Sequence, residues 1–348
     1  MRHVLRVLFP LVAIIIFIKF YFGSSDEIMS IDNYPIWLKD SSGKRTVQTS
    51  GLAYIGMNEG KKIFISCDDI GKINRLSVDE SINPPTIIIT EISFSEQVNS
   101  LFQKFKKRDM EDIYYDSLNN KILLSIEGHE YSSYDPEIYR QKEGIYEISF
   151  NKDILTFDTL LTIKRLKLPK DVYAHTFDNI SFEGFSATEN YFFLGLENFQ
   201  IKGDSFSDST ILYILNRKTN ELKSITTGEL KISTICGLYS VDDYNIYGID
   251  RNRKNMFYIK FNPDFTVEKS VVQKMDLSIP MHPDMNNIIG IAPESITFDD
   301  AGNIYVATDP WKDIYKPDME ERKRLSTEEL ENFYTFIPMM YKFNNQLN

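Results

Sequence analysis

Residues 183–197 read EGFSATENYFFLGLE. An apolar run opens on an acid, a turn TEN follows, and a second apolar run closes on another acid. Turn residues of this kind take left-handed backbone or bond their own amides, so the stretch reads as a hairpin of two strands. The phrase recurs. Residues 50–68 (SGLAYIGMNEGKKIFISCD), 111–127 (EDIYYDSLNNKILLSIE), 236–250 (CGLYSVDDYNIYGID) and 294–309 (ESITFDDAGNIYVATD) repeat the order of strand, turn, strand and terminal acid. Most repeats continue into further strand-like runs, such as 72–78 and 86–93, or 211–216 and 222–227. Each module therefore reads as a four-stranded antiparallel meander, and five in series predict an all-β chain folded as a five-bladed β-propeller, with six blades as the alternative.

Length and composition agree with that reading. The chain has 348 residues, with 24 Phe and 20 Tyr, a ring content that suits pleated, half-buried surfaces. From residue 26 onward, five blades would take about 65 residues each, more than the roughly 40–50 of compact propeller repeats. Insertions near 96–108, 280–293 and 311–332 account for the excess, and Ser326 with Glu329 predicts a helix-capping box in the last. Pro35 to Lys39 is an unpartnered strand ahead of the first module, and the last module lacks a fourth strand. Lending the one to the other would close the ring and remove both sheet edges. Glu80 reads as a turn acid outside the repeat.

Fifty acids against 39 basic residues give a formal charge of −11, with no basic cluster, which argues against a nucleic-acid partner. Two cysteines, Cys67 and Cys236, fall in modules that are not adjacent in a ring of five and are expected to stay unpaired. Residues 1–25 carry Arg2, His3 and Arg6 ahead of an apolar run from Val7 to Ile18, the shape of a signal peptide or signal anchor. The body, 26–348, is then expected to be a single exported domain, periplasmic or extracellular. Any membrane contact would run through an uncleaved N-terminal segment, and the body is expected to be monomeric.

Antiparallel pairing puts the start of the first strand and the end of the second on one face of the ring. Asp68, Glu127, Glu197, Asp250 and Asp309 end second strands there, and Ser50, Glu111, Glu183, Cys236 and Glu294 begin first strands. Glutamate has no turn-forming reason to recur at such positions. Carboxylates crowded on one channel raise one another's pKa or recruit a cation, and calcium accepts many oxygen ligands in loose geometry. The expected metal ligands are Glu183, Glu197, Glu294, Asp309, Asp68 and Glu127. Glu183, Glu197 and Glu294 are also the candidate catalytic carboxylates, since no nucleophile motif is present. Lys72, Arg251, Arg253 and Lys312 follow the acidic slots and are expected to rim the same face as substrate-binding cations, with His129 nearby.

The motifs 50–54 (SGLAY) with 65–71 (ISCDDIG), 110–116 (MEDIYYD) with 124–129 (LSIEGH), 179–187 (NISFEGFSA) with 194–198 (LGLEN), and 293–310 (PESITFDDAGNIYVATDP) resemble the esterase-like phytase domain of exported bacterial proteins. The resemblance spans most of residues 50–315. It implies a calcium-binding propeller that hydrolyses small-molecule phosphate esters. Two positions depart from the pattern: Glu111-Asp112 stands where Glu-Gly is usual, and Cys236 replaces a polar residue. A non-catalytic propeller that binds a ligand or partner, and a metal-dependent lactonase or esterase, are the alternative readings.

Overall fold

The computed structural model describes residues 27–31, 33–129, 136–202, 205–286, 288, 290–311 and 314–347. The proposed leader and Lys312 lie outside them. Five antiparallel sheets surround one axis. Blade 1 runs outward from Thr49–Asn58 through Lys61–Asp68 and Ile73–Asp79 to Thr86–Glu91. Blade 2 comprises Met110–Asp116, Lys121–Ile126, Gly144–Phe150 and Thr159–Arg165, extended at its rim by Ser93–Phe94 in parallel pairing. Blade 3 is Phe182–Ala187, Tyr191–Leu196, Ile211–Asn216 and Leu222–Thr226; blade 4 is Gly237–Asp242, Asn245–Asp250, Asn255–Phe261 and Val267–Lys274.

Blade 5 draws on both ends of the chain. Ile291–Phe298, Ile304–Pro310 and Met339–Phe343 are completed by Ile36–Trp37, which pairs antiparallel with the last of them. The ring is therefore closed by the strand ahead of the first module, and no sixth blade lies among the described residues. Glu80 is no idle turn acid. It accepts hydrogen bonds from the Tyr34 and Tyr305 hydroxyls at 2.7 and 2.8 Å and pairs with Lys62 and Lys342 at 2.8 and 2.9 Å, tying blade 1 to the closing blade. The expected insertions carry helices at Glu96–Phe102, Met319–Arg322 and Thr327–Tyr334; the last has the reciprocal Ser326–Glu329 capping box.

The inner strands of the five blades touch in cyclic order around the axis. Small side chains permit it. A Cβ on Gly237 would lie 2.6 Å from the Glu294 carbonyl oxygen and 2.9 Å from the Ser295 Cα, and one on Gly51 would lie 2.7 Å from the Ile113 amide. Hydroxyls pin neighbouring blades: Thr297 accepts the Tyr54 amide at 2.9 Å, and Ser186 accepts the Ser240 amide at 2.8 Å. Asp112 is 3% exposed and does the same with a carboxylate. It accepts the Phe185 amide of blade 3 at 2.7 Å and its own neighbour Ile113 at 2.8 Å. Both cysteines are buried and free.

Two outcomes follow. Gly237→Ala should lower stability by about 1–3 kcal/mol through overpacking, whereas Gly228→Ala, whose Cβ would stay 3.4 Å from its nearest neighbour, should be near neutral in a denaturant melt. Thiol titration should find two reactive groups after denaturation and almost none before; fewer than two in the denatured, unreduced protein would contradict the free state of Cys67 and Cys236.

Candidate functional site

At the end of the channel where the inner strands begin, all five blades contribute charged or sulfur-bearing side chains. Arg251, in the turn after the second strand of blade 4, points in toward the axis. Its guanidinium pairs with Glu294 at 2.8 Å, with Glu183 at 3.2 Å and, closely, with Glu197. The ring of Trp311 lies beside the same guanidinium, with centroid 5.5 Å away. One cation thus bridges blades 3, 4 and 5, and the three carboxylates around it are largely buried. The Cys236 thiol donates to Glu183 and shares a three-ligand grouping with Glu183 and Glu294.

Beside this trio lies a second cluster. Asp69, Asp109 and Glu111 offer oxygen atoms all within 4.8 Å of one another. Asp109 is fully buried and pairs with Lys107 at 2.5 Å, while Asp69 accepts from the Ser50 hydroxyl and stands 4.0 Å from the same lysine. Glu127, 3% exposed, adds an Oε1 with no hydrogen-bond partner among the described residues. The two clusters form one bowl, because Glu111 and Glu127 each feel the Glu183 charge and Glu294 feels Asp69.

Burial is the main cause where the pKa of a bowl carboxyl is raised. It pushes Asp68 and Asp109 up to about 7 and Glu294 up to about 8, the last against the pull of Arg251. Glu111, Glu127 and Glu183 are also driven well above the ordinary carboxylate range, by burial first and neighbouring acids second. Arg251 is driven up by the charges it serves, against the opposing effect of burial.

The expected residues divide as follows. Glu183, Glu197 and Glu294 converge on Arg251, and Asp309 lies close enough to Glu294 to raise its pKa. Glu127 joins the second cluster. Asp68 uses Oδ1 to accept the Lys72 amide at 2.7 Å within its own turn, and Asp69 is the one that reaches Asp109 and Glu111. Asp250 is consumed by its loop, accepting from the Ser233 amide and hydroxyl, both at 2.8 Å.

Of the expected rim cations, Arg251 alone among the described residues enters the bowl. Lys72 turns outward to Glu91 at 2.7 Å, and Arg253 is exposed and donates to the Lys231 carbonyl at 2.9 Å. Both corrections have one cause: a turn residue faces the axis or the rim according to its exact place in the loop. His129 is half-buried, with both ring nitrogens shielded from solvent. Lys107, Asp109 and Trp311 were not legible as site residues. Asp109 has a signal in retrospect, since its carbonyl takes the Glu127 amide just as Ser181 takes that of Glu197 in the next blade.

A cleft of about 1000 Å³ lies elsewhere, on the outer wall between the N-terminal segment, blade 1 and the 276–283 loop. Its lining contains none of the bowl acids. The concentration of buried carboxyls with raised pKa makes the channel mouth the candidate site.

No family model matches the chain, and no curated protein matches it in sequence. Among solved structures it is similar to the PQQ-bound aldose sugar dehydrogenase of Streptomyces coelicolor, at 8% identity and a TM-score of 0.42, over 89% of this chain and 98% of that one. It is also similar to the gluconolactonase XC5397 of Xanthomonas campestris, at 11% identity and 0.41, over 78% and 72%, and to a streptogramin B lyase, at 12% and 0.32, over 78% and 94%. None of the three is described as a phytase. Likenesses this distant carry no argument about activity.

The bowl makes stability depend on pH in a definite direction. Asp68, Asp109 and Glu294 titrate near 7, 7 and 8 in the folded chain and near 4 when unfolded, so the folded state keeps protons the unfolded state has lost. Their contribution is present in full below about pH 4 and is lost as pH rises through about 7–8. In chelator, unfolding free energy should fall between pH 5 and 8. Arg251→Met should cost about 3–5 kcal/mol at pH 8 by leaving buried carboxylates uncompensated, and clearly less at pH 5. Equal losses at the two pH values would show that the arginine acts by packing alone.

Proposed function

We propose that the chain is an exported, calcium-dependent phosphoesterase acting on small-molecule phosphate esters at the acidic channel mouth. The observation that carries this is the Asp69–Asp109–Glu111 grouping, with Glu127 beside it and Lys107 as the paired cation. Ligand atoms within 4.8 Å of one another fit a single ion, since calcium–oxygen distances of about 2.3–2.6 Å allow such separations. A hard, all-oxygen donor set suits calcium over softer metals. Arg251 already occupies the centre of the Glu183–Glu197–Glu294 trio, so the second cluster is the better home for the ion.

Bound calcium would supply Lewis-acid neutralisation of phosphate oxygens. The chain's own groups supply the rest. Lys107 and Arg251 bring positive charge to a bowl that otherwise repels an anion. Glu294, with its pKa raised to about 8, would serve as the general acid for the leaving alkoxide. Motif resemblance supports the phosphoester assignment, and the acidic bowl supports the metal. Among the described residues no helix is long and apolar enough to cross a membrane. We take the body to act as a monomer.

The test joins melting temperature to catalysis. Calcium at a hundredfold excess over its Kd should stabilise by about 2.7 kcal/mol. Asp109→Asn and Glu127→Gln should remove most of that gain, while the exposed Glu221→Gln should keep it. Phosphate release from a panel of esters should require calcium, stop with chelator and fall at least about a hundredfold in Glu294→Gln. Stabilisation by calcium without phosphate release would leave a binding propeller, and release of acid from lactones instead would favour the lactonase reading.

A further inference from the structure

We propose that the opposite mouth of the channel is a second, independent site that binds a small organic cation of the alkylammonium class. Where the inner strands end, a pocket of about 400 Å³ opens between blades 1, 2, 4 and 5. Tyr54, Tyr114, Tyr115, Tyr239 and Phe298 line it, together with the carboxylates of Asp299 and Asp300. Among the described residues, no lysine or arginine belongs to its lining. Tyr239 and Phe298 stack at 4.6 Å with planes 14° apart, and Tyr114 meets Phe185 edge-on.

The rings are held in place rather than free to turn away. The Tyr54 hydroxyl donates to Asp300 at 2.7 Å and the Tyr115 hydroxyl to Asn120 at 3.0 Å. The two acids differ in what remains available. Asp299 is engaged by Lys62 at 2.6 Å and by the Asn303 amide at 2.8 Å, whereas Asp300 is exposed. Aromatic faces attract a cation through the ring quadrupole, and a nearby carboxylate adds a Coulomb attraction that a neutral guest does not feel. The volume is that of a small ligand. A protein of charge −11 raises the local concentration of cations further.

Between this pocket and the acidic bowl lie Asp112, bonded to amides of blades 2 and 3, and Gly51 and Gly237, packed close against the neighbouring strands. Occupation of one mouth should therefore leave the other unaltered, and the inference does not rest on the phosphoesterase reading.

Choline, titrated calorimetrically into the full chain in chelator, is the test. It should bind, and its uncharged carbon isostere should bind at least about tenfold more weakly. Asp300→Asn should weaken choline several-fold without changing the isostere, and Tyr239→Leu should weaken both, with melting curves confirming that each variant is folded. Calcium should leave the choline affinity unchanged. Absence of choline binding, equal affinity for the isostere, indifference to Asp300→Asn, or preference for a neutral sugar such as glucose would each overturn the proposal.

Discussion

Five inner strands packed around one axis set the terms for everything else in this molecule. Their approach is close enough that glycine, serine or a bonded carboxylate must stand at the crossing points, as Gly51, Asp112, Gly184, Gly237 and Ser295 do. The residue just before each crossing point then faces the axis from its own blade. Because three of those five are glutamates and the second strands end in further acids, the packing that closes the ring also concentrates negative charge in a poorly solvated space.

Two kinds of compensation follow. Around Glu183, Glu197 and Glu294 the chain supplies its own cation, Arg251, steadied beside Trp311. Around Asp69, Asp109, Glu111 and Glu127 the paired cation among the described residues is Lys107, and protons held to about pH 7 by Asp109 cover part of the remainder. An internal arginine cannot exchange, so that half of the bowl is a fixed structural unit. The half whose single cation faces four carboxyls is where an exchangeable ion gains most, because a ligand of the native state alone stabilises that state. Asp112 stands between the acidic mouth and the aromatic one, next in sequence to Glu111 on one side and to Ile113 on the other.

Sequence periodicity was sufficient for the blade pattern, because alternation between strands and turns is a local property and every blade repeats it. The closing strand was legible for a similar reason: Pro35 to Lys39 had strand character with no neighbour of its own, and the last module had a vacancy. Convergence of the module glutamates followed from antiparallel geometry alone. Chain-local information stopped there. Asp68 and Asp69 are adjacent, yet one bonds the turn and the other reaches the axis, and only the turn's three-dimensional path separates them. Asp109 lay before its strand, outside the repeated phrase.

Arg251 shows the division most clearly. Its sequence signature, a basic residue after an acidic slot, is shared with Lys72 and Arg253, which point outward. Glu80 likewise had the signature of a surface turn and proved to be the anchor of the ring closure. The sequence by itself determined the strands, their order, the ring and the face on which acids gather, since each follows from hydrogen-bonding pattern and alternation along the chain. Which acid meets which cation was decided by tertiary structure alone, because charge pairing depends on distances of a few ångströms between blades far apart in sequence.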